Sequence, residues 1–181
     1  MSRILIPDAG PLFSLAAADI LDVLLHFPVA ITDVVKQESI DKGAAPNASI
    51  EARRLLAFYS AHANLVEVVQ TQYGQLLAAA KKSNPSLDAA NSGELSIQSF
   101  LIELRNAPAQ TEVAVLFEDS WFIRNAIGLP QNCELVSTSA FLLILERLRL
   151  IPSAEAAKAA IKMLRPHYYP REKIIPAGPD R

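Results

Sequence analysis

The stretch Ile4-Leu5-Ile6-Pro7-Asp8-Ala9-Gly10-Pro11-Leu12 decides the fold. Three aliphatic residues in a row read as a strand buried on both faces, the kind that parallel sheets contain. Pro7 and Asp8 close that strand. Gly10 and Pro11 then turn the chain into a helix, with proline near the helix start, where its missing N–H costs nothing. An acidic side chain therefore stands at the carboxyl end of a buried strand. In parallel α/β sheets the crevice at that edge is where ligands bind.

Working outward, residues 12–27 follow a helical pattern with a break near Asp19. Val29-Ala30-Ile31-Thr32 is a second strand, and Asp33 is placed to cap the helix that begins at Val34. Residues 43–47 form a loop and residues 50–62 a helix. Leu65 to Val69 is β-branched and strand-like. A helix over residues 71–82 and a polar loop at 83–86 follow. Ser92 is expected to cap a helix over 93–105. Val113-Ala114-Val115-Leu116-Phe117 is the clearest central strand. Glu118 and Asp119 close it, and a helix over 120–127 is ended by Gly128. Leu135-Val136 is a last short strand. Ser137 or Thr138 opens a helix over 141–148, and an alanine-rich helix covers 154–164. Strands alternating with helices along the whole chain predict an α/β fold: a parallel β-sheet of about four to five strands flanked by helices. There is no internal repeat and no internal boundary. Residues 1–165 form the expected domain. Residues 166–181 form a tail whose prolines at 166, 170, 176 and 179 favour extended chain.

The chain has 181 residues, 51% of them hydrophobic and 20% charged. That supports one globular core and excludes disorder over most of the length. The net charge of -2 argues against a long non-specific nucleic-acid footprint, though not against a local basic patch. Cys133 is the single cysteine, so neither an internal disulfide nor a cysteine zinc pair can form, and a reducing cytoplasmic compartment is expected. His26, His62 and His167 lack metal-ligand spacing. The N-terminus does not read as a signal peptide, and no apolar run approaches the roughly 20 residues of a membrane helix.

Two acids, Asp8 and Asp119, follow buried strands directly, with Glu118 beside the second. Two more, Glu38 and Glu94, sit in early helical turns that can face the same sheet edge. Each has an ordinary explanation by itself. An aspartate after a strand caps the next helix, and a glutamate in a first turn suits the helix dipole. Together they repel: at 4 Å two such charges oppose each other by about 4 kcal/mol at an effective dielectric near 20. A hard divalent cation with oxygen ligands compensates that cost, and Mg²⁺ or Mn²⁺ so held activates water against a phosphate.

Four motifs in order carry a family resemblance. They are Ile4-Leu5-Ile6-Pro7-Asp8-Ala9-Gly10-Pro11-Leu12; Ile31-Thr32-Asp33-Val34-Val35-Lys36-Gln37-Glu38; Ser92-Gly93-Glu94; and Val115-Leu116-Phe117-Glu118-Asp119 followed by Arg124-Asn125-Ala126. With Ser137-Thr138-Ser139 and the apolar helix to Ile151, the chain resembles the PIN-domain family over residues 3–152. It is most similar to a subgroup whose first motif reads Asp-x-Gly-Pro-Leu. That family includes the VapC-type ribonuclease toxins. The resemblance implies a metal-dependent endoribonuclease in which Asp8, Glu94 and Asp119 bind Mg²⁺ or Mn²⁺ directly. Glu38 would bind through water or position the attacking water, and Thr138 would hydrogen-bond into the cluster. It implies an RNA substrate, a small antitoxin protein as partner if the chain is a toxin, and room for a homodimer. Lys36, Arg53, Arg54 and Arg124 are candidate phosphate contacts, each with an ordinary surface role as the alternative. Glu118 departs from the usual Asp-Asp of the fourth motif. The segment 50–91 is longer than in compact toxins.

The competing expectation is a PIN-like module without catalysis that binds nucleic acid or regulates. Two others fall on the residues. A haloacid-dehalogenase-type phosphatase needs Asp-x-Asp after the first strand, and position 10 is glycine. No Gly-x-Gly-x-x-Gly follows any strand.

Overall fold

The structure is a computed structural model that describes residues 3–105, 112–125, 129–168 and 172–176. Its centre is a sheet of six strands in the order β3-β2-β1-β4-β5-β6. The strands are β1 (Arg3–Pro7), β2 (Val29–Thr32), β3 (Val66–Val69), β4 (Glu112–Phe117), β5 (Cys133–Ser137) and β6 (Ile174–Pro176). The first five are mutually parallel, and β6 pairs antiparallel with β5. Helices α1 (Ala9–Ala17), α2 (Asp33–Glu38), α3 (Ile50–His62), α4 (Gln72–Ser83), α5 (Ser92–Arg105), α6 (Trp121–Asn125), α7 (Thr138–Arg147) and α8 (Ala154–Leu164) connect or flank them.

The central strands are aliphatic because both faces are covered. Leu5 and Ile6 in β1, and Val113 through Phe117 in β4, are all buried. α1 packs against α3 and α8, α2 against α5, and α7 against α8. The order of strands reverses direction at β1: the chain steps outward to β2 and β3, then returns to place β4 on the other side of β1. That reversal opens a crevice at the carboxyl ends of β1 and β4. Pro7 is level with Leu116, and Asp8 N–H donates to the Leu116 carbonyl at 3.0 Å. Asp8, Glu118 and the start of α7 therefore meet along one edge.

Several local expectations are corrected. Asp33 does not cap α2. Thr32 does, accepting from Val35 N–H at 3.3 Å, while the buried Asp33 carboxylate receives the Thr71 hydroxyl at 2.9 Å. Ser92 is the first residue of α5, and its hydroxyl donates back to the Ala89 carbonyl. The helix after β4 begins at Trp121; its expected end at residues 126–128 lies outside the described residues. The expected break near Asp19 is present, where that residue turns left-handed (φ 59), but the segment after it, Leu21–His26, is 3₁₀ and not α-helical. Aspartate is one of the few non-glycine residues that enters the left-handed region readily.

Of the expected tail, residues 169–171 and 177–181 lie outside the described residues, and residues 172–176 are tied to the domain. Ile174–Pro176 adds β6 to the sheet, with its proline on an edge strand, where a missing donor is tolerated. Ser137 N–H donates to the Lys173 carbonyl at 2.9 Å, and Lys158 bridges Glu155 and Glu172 at 2.9 and 2.6 Å. Among the described residues, no helix is long and apolar enough to cross a membrane.

Candidate functional site

Asp8 leaves β1 at the N-cap position of α1, yet its side chain makes no capping bond to that helix. Its carboxyl contacts the N–H of adjacent Ala9 and otherwise faces Glu94, Asp119 and Glu38. Burial, and next the neighbouring charge of Glu94, push its pKa up to about 8, against an ordinary value near 4.

Glu94 comes from the first turn of α5. That turn is anchored by a buried pair of hydroxyls: Ser96 Oγ lies 2.6 Å from Thr32 Oγ1 at the end of β2 and donates to the Gly93 carbonyl at 2.6 Å. Burial raises the Glu94 pKa to about 7, helped by a carboxyl hydrogen bond with Asp119 and by the charges of Asp119 and Glu38. Glu38, at the end of α2, is also raised by burial. It is moderated by Lys42, Lys81 and the Gly93 N–H, which donates to it. Gly93 is the residue that permits this closeness. A β-carbon there would stand 2.8 Å from Glu38 Oε2 and 3.1 Å from Asp8 Oδ1.

Asp119 is exposed, and its Oδ1 accepts from Trp121 N–H at 2.7 Å, so it caps α6 while facing Glu94. Glu118 points elsewhere. Arg165 Nη1 lies 2.9 Å from Glu118 Oε2, and Thr138 Oγ1 donates to Glu118 Oε1 at 3.1 Å. The same Arg165 nitrogen donates to the Gly10 carbonyl at 2.8 Å and bonds the Ser14 hydroxyl. Thr138 thus reaches the acidic edge as expected, but through Glu118. Ser137, not Thr138, caps α7.

The structure brings Asp8, Glu38, Glu94 and Asp119 into mutual electrostatic range. The donor set is oxygen-only and negative, which suits a hard divalent cation. Even so, among the described residues no three acidic, histidine or cysteine side chains are arranged to grip one ion as they stand. The two observations differ because charges act over several ångströms while ligands must converge to about 2 Å.

The candidate phosphate contacts divide. Lys36 is paired with Asp41 at 2.6 Å and lies 5.3 Å over the Tyr59 ring. Arg54 donates to the carbonyls ending α1 and pairs with Asp19 at 3.4 Å. Both hold the fold. Arg53 and Arg124 are exposed. The residues that sequence reasoning missed are Arg165, and Lys42 and Lys81 beside Glu38. Only the odd Glu118 hinted that a counter-charge was needed. No family model, curated protein or solved structure matches the chain.

Proposed function

We propose that this protein is a metal-dependent endoribonuclease of the PIN-like kind, hydrolysing RNA phosphodiester bonds with Mg²⁺ or Mn²⁺. The observation that carries the reading is Asp8. It is a buried carboxyl at a strand-to-helix junction, it does not cap the helix it precedes, and it faces three more acids. The arrangement is costly once its carboxyls are ionised, and a bound cation relieves that cost. Asp8, Glu94 and Asp119 would hold the ion and Glu38 would orient a water, through its carboxylate and the Gly93 N–H it accepts. The bound ion would supply Lewis-acid stabilisation of the phosphate and a more acidic water. Glu118, neutralised by Arg165, serves the architecture of the edge. Within this reading the protein works in the cytoplasm, alone or as a homodimer, and a small antitoxin protein is the partner if it is a toxin.

One observation favours the second reading, a PIN-like module that binds nucleic acid or regulates without cutting it: among the described residues, no three ligands are gathered. Incubating purified protein with single-stranded RNA and Mn²⁺, with and without EDTA, separates the two. Cleavage that stops in EDTA supports the nuclease. RNA retention without cleavage at any metal concentration supports the binder.

A further inference from the structure

Beside the acidic edge, and sharing Asp119 with it, lies a cavity of about 530 Å³. One wall is Glu118, Asp119 and Ser120 at the end of β4. The other is the run Leu164-Arg165-Pro166-His167-Tyr168, where the chain leaves α8. Its size falls within the roughly 300–1,000 Å³ of small-molecule sites, enough for one nucleoside. The far wall is held in place. Arg165 ties it to Gly10 and Glu118, and Tyr168 is buried with its hydroxyl 2.7 Å from Ser139 Oγ.

The two walls differ in chemistry. Leu164 and Pro166 present apolar surface, and His167 adds an exposed aromatic ring. Such a surface accepts the face of a base, which every nucleobase offers. The opposite wall presents carboxylate oxygens. Glu118 spends one acceptor position on Thr138 and one on Arg165. A carboxylate has about four such positions, so some remain for a donor in the cavity. Arg165, the cation in the lining, is already paired with Glu118, so this wall disfavours a phosphate and accepts an amino group. Carboxylates read the amino group of cytosine in this way in base recognition generally.

We propose that this cavity takes the base of an RNA nucleotide next to the cleaved phosphate, stacking it on the 164–167 wall and preferring bases that carry an exocyclic amino group over uracil. The ribonuclease reading supplies the polymer to which that base belongs; the cavity itself can be tested apart from it. Cytidine and uridine are the probes, since they match in size and differ only at C4, amino against carbonyl, and at the adjacent N3, which offers one N–H donor in uracil against the two donors of the cytosine amino group.

Each nucleoside is titrated in EDTA into the ¹⁵N-labelled full chain, and amide shifts are followed. The Ser120 and His167 amides, on opposite walls, should move together and saturate. Cytidine should bind at least about fivefold more tightly than uridine, the lower end of base-edge discrimination. His167→Ala should weaken both by about fivefold or more, the loss expected from a stacking platform. Absent shifts at these two amides, shifts centred elsewhere, or uridine binding as tightly as cytidine would overturn the proposal. RNA cleavage with no nucleoside in the cavity would sink it while leaving the nuclease intact. Cytidine in the cavity with no cleavage under any metal would do the reverse.

Discussion

Arg165 Nη1 sits 2.9 Å from Glu118 Oε2, joining the end of the eighth helix to the end of the fourth strand across the mouth of the acidic crevice. The same nitrogen reaches the Gly10 carbonyl in the first turn of α1, so one side chain ties together the segments that follow β1 and β4. Both side chains are largely shielded, at 26% and 15% exposure, which makes this pair worth more than a surface ion pair. Arg165→Met should therefore destabilise the protein by about 2 kcal/mol, since it leaves a shielded carboxylate without its cation. The double variant with Glu118→Gln should recover a large part of that loss in urea unfolding. Losses that simply add would mean the two residues act independently.

The pH dependence of the metal-free protein follows from Asp8 and Glu94. Their folded-state pKa values, about 8 and about 7, lie above the ordinary carboxylate range near 4. Between those limits the folded state binds more protons than the unfolded state, so stability falls as pH rises. In EDTA the melting temperature should drop steadily from pH 5 to pH 8, beyond what the other groups impose, and then level off. Asp8→Asn should flatten that slope. Added Mn²⁺ should raise the melting temperature most at pH 8, where the carboxylates are ionised. A slope unchanged by Asp8→Asn would remove that residue as its source.

Glu94→Gln should relieve repulsion from Asp119 and Glu38, the neighbours that help to raise it. In EDTA at pH 8 this variant should melt at or above the wild type, yet lose most of the metal-induced rise. A lower melting temperature with the metal response intact would make Glu94 a structural residue.

Asp33 is an acid of the other sort. It too follows a buried strand, but its carboxylate receives the Thr71 hydroxyl at 2.9 Å and packs where Gly74 leaves space. Asp33→Ala should cost about 1–3 kcal/mol from the stranded partners, with the cleavage rate per folded molecule unchanged. A lost rate in a stably folded variant would place Asp33 in the chemistry.

The comparison of Asp33 with Asp8 shows how far sequence could go. Both are aspartates after an aliphatic strand, and both invited a capping role. Periodicity and strand composition were enough to place β1, β2, β4 and the helices between them, because burial on two faces leaves little choice of residue. They were enough to put four acids on one edge. They could not tell which aspartate finds a threonine partner, because Thr71 lies far along the chain from Asp33. The same limit hid Arg165, whose partners Gly10, Ser14 and Glu118 come from other elements. β6 escaped because three residues ending in proline carry almost no strand signal, and their pairing is dictated by the open edge of β5.

At the end of β4, one of two adjacent acids would serve the proposed cation. Asp119 faces Glu94, whereas Glu118 is engaged by Arg165 and Thr138. The deciding measurement is the initial rate of single-stranded RNA cleavage against Mn²⁺ concentration, at saturating RNA, for the wild type, Asp119→Asn and Glu118→Gln. Metal-dependent cleavage by the wild type is expected, with near-complete loss in Asp119→Asn at every Mn²⁺ concentration and a substantial retained rate in Glu118→Gln. Full activity in Asp119→Asn, or cleavage by the wild type that persists in EDTA, would contradict the proposal.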